Sequence, residues 1–176
     1  MEYQKNRIRI RFLTVAAFCA ALYVALTYLA FWMGLDKGVI QLRFSEALCV
    51  LVAFTPAAVP GLTVGCILAN ILTGAHVLDI VFGSLATLIG ALVGRALVRF
   101  VKRPWQSVWV TIPTVLANAA IVPLLLRFAY GAEDAYLFLV FTVSAGEILS
   151  ASLLGTLLYF ALHKRAEQIF GAKKQK

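Results

Sequence analysis

The sequence predicts an all-α polytopic membrane protein: a single integral membrane domain over residues 1–176, with six transmembrane helices and both termini in the cytoplasm. Three observations carry this. Of the 176 residues, 62 % are hydrophobic and 14 % charged, against roughly half and a quarter in soluble domains. A chain this short has too little interior to hide so much apolar surface from water, so lipid has to be its solvent. Long uncharged runs alternate with short polar segments. Finally, 13 of the 16 Lys and Arg fall in the segments Lys5–Arg11, Arg95–Arg103 and Lys164–Lys176. That is the bias of cytoplasmic loops, and it accounts for the net charge of +8 without nucleic acid.

Four spans read directly: Phe12–Phe31, Asp79–Val98, Val108–Leu126 and Ala135–Leu162. The first follows a basic stretch, as a signal peptide would, but exceeds a signal core of ~7–15 residues and reads as a retained span. The uncharged run Ala47–Ala75 is interrupted by Thr55-Pro56-Ala57-Ala58-Val59-Pro60-Gly61. Two short spans, roughly Gly38–Phe54 and Pro60–Gly74, put all three basic segments on one side, whereas a single span would split them. Two prolines four residues apart also favour a turn. At ~1.5 Å per residue these spans cover about 22–26 Å of a ~30 Å core, so a re-entrant hairpin is the alternative.

Polar groups inside spans are costly in lipid, and each is a functional candidate. Arg43 and Glu46 stand three residues apart near the outer start of span two. Asn70 lies in the outer half of span three, Asp79 opens span four, Asn118 is central in span five, and Glu147 is near the centre of span six. All lie in the outer half or at the midplane. A channel would want polar groups through the whole depth; this distribution describes a pocket open outward and sealed below. Phe44, Phe82, Tyr136 and Phe138 are candidate aromatic walls. Structural readings stand beside these. Arg43–Glu46 is also a plausible ion pair, the asparagines also bridge helices, and Asp79 also suits a helix N-terminus. Glu147 is hardest to dismiss, because a central carboxylate costs ~3 kcal/mol unless paired and span six offers no cation. Arg127, His76 and His163 read as interface or loop residues, and Cys19, Cys49 and Cys66 as small apolar residues without metal spacing.

There is no phosphate-binding Gly-rich loop, no zinc-type His cluster and no nucleophile–base motif, so the sequence offers a binding site without a motor. Neither a catalytic residue nor a cofactor is expected in this chain. A partner that supplies energy is expected instead. Ala17, Ala21 and Ala25 recur every four residues in span one, with Ala16 and Ala20 alongside, a flat stripe on which a partner helix or another span can approach closely.

On these residues the chain resembles the substrate-binding (S) component of an energy-coupling factor (ECF) transporter, and within that class the QueT family of queuosine-precursor transporters. The resemblance rests on Arg43-Phe44-Ser45-Glu46-Ala47-Leu48 and on Phe54-Thr55-Pro56-Ala57-Ala58-Val59-Pro60-Gly61-Leu62 with Gly65-Cys66 and Ala69-Asn70. It continues through Asp79-Ile80-Val81-Phe82-Gly83-Ser84-Leu85-Ala86-Thr87-Leu88, Asn118-Ala119 and Gly146-Glu147. It implies the six-helix S-component fold in a bacterial plasma membrane. It implies a transmembrane coupling (T) subunit that meets the Ala17, Ala21 and Ala25 stripe, two cytoplasmic ATPases that use ATP, and a 7-deazapurine ligand such as 7-aminomethyl-7-deazaguanine or queuine. Glu147, Asn118, Asn70, Asp79, Glu46, Arg43 and Phe82 are then the expected binding residues. A substrate-binding subunit for another small vitamin-like or purine-like molecule, a membrane-embedded enzyme using Glu147 and Asp79, and a scaffold acting through the alanine stripe are the competing readings.

Overall fold

The computed structural model describes residues 2–35, 41–102 and 105–170, the side chain of residue 167 apart. All regular structure among these residues is helical. Helix α1 (Glu2–Trp32) leads to a 3₁₀ segment (Phe44–Ala53), α2 (Ala58–Leu72), α3 (Val77–Leu97), the short α4 (Gln106–Trp109) and α5 (Ile112–Phe128). Helix α6 (Tyr136–Glu147) continues through a π-helical segment (Ile148–Leu154) into α7 (Gly155–Leu162), and α8 (Ala166–Phe170) follows. Four stretches are long and apolar enough to cross a bilayer: Glu2–Trp32, Val77–Leu97, Gln106–Phe128 and Tyr136–Leu162. They match the four spans that read directly.

The middle of the chain differs from expectation in kind. The expected second span is a 3₁₀ helix over Phe44–Ala53, in which Ser45 to Ala53 are all buried; its expected start at Gly38 lies outside the described residues, as do Arg103 and 171–176. A 3₁₀ helix rises ~2.0 Å per residue against ~1.5 Å in an α-helix, so these ten residues reach about as deep as the fifteen of α2, roughly 20 Å. Both are shorter than a bilayer core. The turn between them is covered by the protein itself. Arg95 Nη1 donates to the carbonyls of Val52 and Ala53 at 2.9 and 3.5 Å, satisfying acceptors at the end of the 3₁₀ helix. Phe54 stacks on Tyr159 and on Phe170 of α8, with centroids 5.0 and 5.8 Å apart.

Small residues bring the helices together. A Cβ on Gly61 would lie 2.6 Å from the Ala16 carbonyl oxygen, and one on Gly65 would lie 2.7 Å from Tyr23 Cβ. The Gly61/Gly65 face of α2 therefore packs directly on the Ala16/Ala20 face of α1, the close approach that small-xxx-small spacing permits. Gly90 and Gly94 serve α3 in the same way against Thr114 and Val110. Replacing Gly65 with valine is expected to cost about 1–3 kcal/mol or more, because neither Tyr23 Cβ nor the Ala20 backbone can retreat. The check is the thermal unfolding midpoint of the purified protein in detergent.

Candidate functional site

Glu46, Asn118, Asp79, Asn70 and Glu147 are only 2 % to 6 % exposed, although each is polar or ionisable. The fold arranges them, with Arg43, in two tiers.

The first tier borders a cavity of about 560 Å³ where α1 ends, the chain enters the 3₁₀ helix, α2 turns into α3, and α5 ends. Arg43, Asn70, Asp79, Thr27, Gln41 and Tyr130 give it its polar lining. Asp79 is its best-connected group. Tyr130 donates its hydroxyl hydrogen to Asp79 Oδ2 at 3.1 Å, and Arg43 Nη2 stands 3.9 Å from the same oxygen. Asn70 Nδ2 donates to the Asp79 backbone carbonyl at 3.2 Å. Asp79 Oδ1 has no hydrogen-bond partner among the described residues. Gly83 leaves room for this carboxylate, since a Cβ there would lie 2.8 Å from Oδ1. The N-cap of α3 is His76, whose Nδ1 accepts from Leu78 N at 3.2 Å. His76, not Asp79, is therefore the cap, and Asp79 stands in the first turn of α3, where an acid is favoured by the helix dipole.

The turn into α3 is set by Gly74 at φ +69°, a conformation glycine adopts without steric cost. It closes α2 with Ala75 N donating to the Asn70 carbonyl at 2.9 Å and delivers His76, whose backbone N donates to Tyr130 Oη at 3.1 Å. Tyr130 thus ties the end of α5 to the start of α3 across the cavity rim. Partial burial pushes its phenol above the usual range, so it stays a neutral donor. Tyr130→Phe is expected to weaken a ligand that uses Asp79 by roughly 2- to 10-fold, through one lost hydrogen bond, as read by calorimetry.

The second tier is fully enclosed. Tyr23 donates its hydroxyl hydrogen to Glu46 Oε1. Arg43 and Glu46 are joined by the backbone, Glu46 N donating to the Arg43 carbonyl at 3.0 Å. Arg43 N in turn donates to Ser150 Oγ at 3.2 Å, one helical turn past Glu147. Asn118 faces both Glu46 and Glu147. Asn118 Nδ2 and Glu147 Oε2 nevertheless have no hydrogen bond of normal geometry among the described residues. Arg43 belongs to both tiers: it lines the cavity, and its guanidinium acts electrostatically on Asp79, Glu46 and Glu147.

Chemically, three carboxyl groups lie around one guanidinium; Asp79 Oδ1 is an open acceptor at the cavity, and Glu147 Oε2 and Asn118 Nδ2 lie in the enclosed tier, where Asn118 faces Glu147. Buried polar atoms left unpaired cost about 1–3 kcal/mol each, so an arrangement of this kind is suited to a ligand that brings its own N–H donors and an acceptor. The widened π-helical turn begins at Ile148, directly after Glu147; such turns recur at functional sites. Gly155 lets the same span approach the 3₁₀ helix, a Cβ there lying 3.2 Å from the Ala47 carbonyl oxygen.

Of the expected binding residues, Arg43, Asn70 and Asp79 line the cavity, and Glu46, Asn118 and Glu147 form the enclosed tier. Phe82 does neither, being 43 % exposed on α3. Tyr136 and Phe138 are also exposed, and Phe31 and Tyr130 supply the aromatic lining instead of the four expected walls. Sequence reading missed Tyr23, Thr27 and Tyr130. The signal for Tyr23 was its depth, since tyrosine in a span normally sits at the interface. The alanine stripe divides. Ala16 and Ala20 pack on α2, whereas Ala17, Ala21 and Ala25 are exposed along one face with Leu13 and Leu29.

Comparison with known proteins found no matching curated protein and no matching solved structure. A family model described as QueT transporter matches residues 13–164, from the start of span one to the end of α7 and with it both tiers of the site. Among the described residues all regular structure is helical and four helices are apolar enough to cross a membrane, which fits that assignment: the chain belongs to the QueT transporter family and is a membrane transport component.

Proposed function

We propose that this chain is the substrate-binding S component of an ECF importer in a bacterial plasma membrane, and that it takes up a 7-deazapurine queuosine precursor such as 7-aminomethyl-7-deazaguanine. The observation that carries the reading is the two-tier site: a cavity within the ~300–1,000 Å³ range of small-molecule sites stands above an enclosed layer that holds Glu147 and Asn118. A guanine-like edge offers adjacent N–H donors that one carboxylate accepts in parallel, and Glu147 is assigned that role. Asn118 and Asn70 read neighbouring atoms. Glu46 and Arg43 complete the charge balance around the base. Asp79, at the cavity, takes the aminomethyl cation. Asp79→Asn is then expected to weaken the aminomethyl ligand far more than an uncharged analogue of the same shape; equal losses for both would remove Asp79 from that role.

In this reading the chain hydrolyses nothing. A T subunit docks on the Ala17, Ala21 and Ala25 face, and two cytoplasmic ATPases supply the energy. The chain crosses the membrane six times, with the 3₁₀ helix and α2 as short spans two and three and both termini inside. Cysteine labelling tests this directly, because the native Cys19, Cys49 and Cys66 are buried. A cysteine at position 76 is expected to react from outside and one in the C-terminal tail only from inside. A tail labelled from outside would mean five spans and would end the proposed site geometry. Identifying a small molecule that co-purifies with the protein tests the substrate class.

A further inference from the structure

A second cavity, of about 650 Å³, lies at the other end of the molecule between the first turns of α1 and the short α8. It is lined by Gln4, Arg7, Ile8, Ile10, Arg11, Thr14, Val15 and Ile169. Its lining is sorted by chemistry. At ~100° per residue, Gln4, Arg7, Arg11 and Thr14 follow one another along one strip of α1, and Ile8, Ile10 and Val15 flank them. Arg9, on the same helix, is ~160° away from both Arg7 and Arg11 and is not part of the lining. The position matters as well. Arg11 directly precedes Phe12, where the long apolar run begins, so the strip straddles the boundary between bilayer and water. Arg11 Nη2 is turned toward α8 and donates to the Gln168 carbonyl at 3.5 Å. The Arg7 guanidinium stands 6.0 Å from the Tyr3 ring centroid. Both guanidinium groups are exposed, and among the described residues neither has a salt-bridge partner.

We infer that this cavity is a binding site for one anionic phospholipid. Arg7 and Arg11 hold its phosphate, with Gln4 as a further hydrogen-bond donor, and Ile8, Ile10, Val15 and Ile169 pack on the upper part of its acyl chains; the Thr14 hydroxyl donates to the Ile10 carbonyl at 2.9 Å. Two guanidiniums one turn apart suit a phosphate diester, which accepts charge-assisted bonds from both. The aliphatic side of the cavity supplies what a free anion would not use. The cytoplasmic leaflet is the anionic one and attracts basic residues at its surface by about 1 kcal/mol each; the inference rests on the proposed inward N-terminus for that leaflet, but not on the transport reading. The site would pin the inner end of α1, the helix whose middle contributes Tyr23 to the enclosed tier.

The test is native mass spectrometry of the full chain in detergent, titrated with phosphatidylglycerol, with phosphatidylcholine and with inorganic phosphate. Expected is a single phosphatidylglycerol adduct that survives a tenfold excess of phosphatidylcholine and of phosphate. Arg7→Gln and Arg11→Gln are each expected to weaken it about fivefold, the equivalent of one basic contact. Arg9→Gln, which removes the same charge from the opposite side of the helix, is expected to leave it unchanged within a factor of two. All three side chains are exposed, so the fold is not at risk. Equal losses at all three positions would replace the site with diffuse charge attraction. Full displacement by phosphate would reduce it to an anion site without a lipid, and displacement by a co-purified partner protein would reassign the groove to that partner. Each of these overturns the inference.

Discussion

Replacing Glu147 with glutamine is expected to weaken binding of 7-aminomethyl-7-deazaguanine by about 30- to 1000-fold, the equivalent of about 2–4 kcal/mol. Glutamine turns one acceptor of the pair toward the ligand as a donor. On the proposed reading, ligand N–H groups that would meet a carboxylate would then meet another N–H in the enclosed layer. The size of the effect comes from the surroundings. Glu147 Oε2 and Asn118 Nδ2 are buried and without partners among the described residues, while Glu46 already accepts from Tyr23. Arg43, which borders both tiers, remains in place, so the loss reports the carboxylate and not a collapsed cavity. Calorimetric titration of wild type and variant decides it. Near-normal affinity would take Glu147 out of the site. Asn118→Ala provides a second reading of the same layer, and the two losses are expected to be non-additive, because both residues would face one ligand edge.

Ala21→Trp is expected to abolish uptake in cells that contain the energising subunits while changing ligand affinity by less than about twofold. Ala21 is exposed with Ala17 and Ala25, on the side of α1 away from Gly61 and Gly65. An indole there lies against lipid in the isolated chain and harms neither α1–α2 packing nor the Tyr23–Glu46 contact. It would hold a partner helix several ångströms off the surface, and close helix approach in a membrane depends on small side chains. Ala20→Trp is the informative contrast. Ala20 is buried, and its backbone would lie 3.0 Å from a Cβ on Gly65. A bulky residue there is expected to destabilise the chain itself, by about 1–3 kcal/mol or more. Paired measurements of binding and uptake separate the cases. Loss of binding in Ala21→Trp would make the exposed face part of internal packing, and unimpaired uptake would remove it from the coupling surface.

The membrane character, the four long spans and the turn before Ala58 were legible because they depend on composition and on backbone rules. Too much apolar surface has no aqueous solution, and a proline such as Pro56 favours a break between helices. Which faces met was not legible. In a soluble helix the polar side marks the surface, but lipid and protein interior are equally apolar, so Ala16 and Ala17 look alike in sequence although one packs on α2 and the other is exposed. The expectation that Phe82 walls the pocket failed to anticipate its exposure for this reason. Tyr23 and Tyr130 were passed over because their role depends on carboxylates that are 23 and 51 residues away in the chain.

The sequence by itself thus determined the solvent, the four long apolar segments and the chemical inventory of the candidate site. Tertiary structure alone decided that Phe44–Ala53 is a 3₁₀ helix and that the helix Tyr136–Glu147 opens into a π turn after Glu147. It also decided that Arg43 joins two tiers of carboxylates and that α1 leaves one small-residue face uncovered. The physical reason is that these features are fixed by contacts between helices. A 3₁₀ stretch has poorer hydrogen-bond geometry than an α-helix. It persists here because Arg95 caps its end, Arg43 bonds Ser150 and the neighbouring helices close around it, and none of those partners is local in sequence.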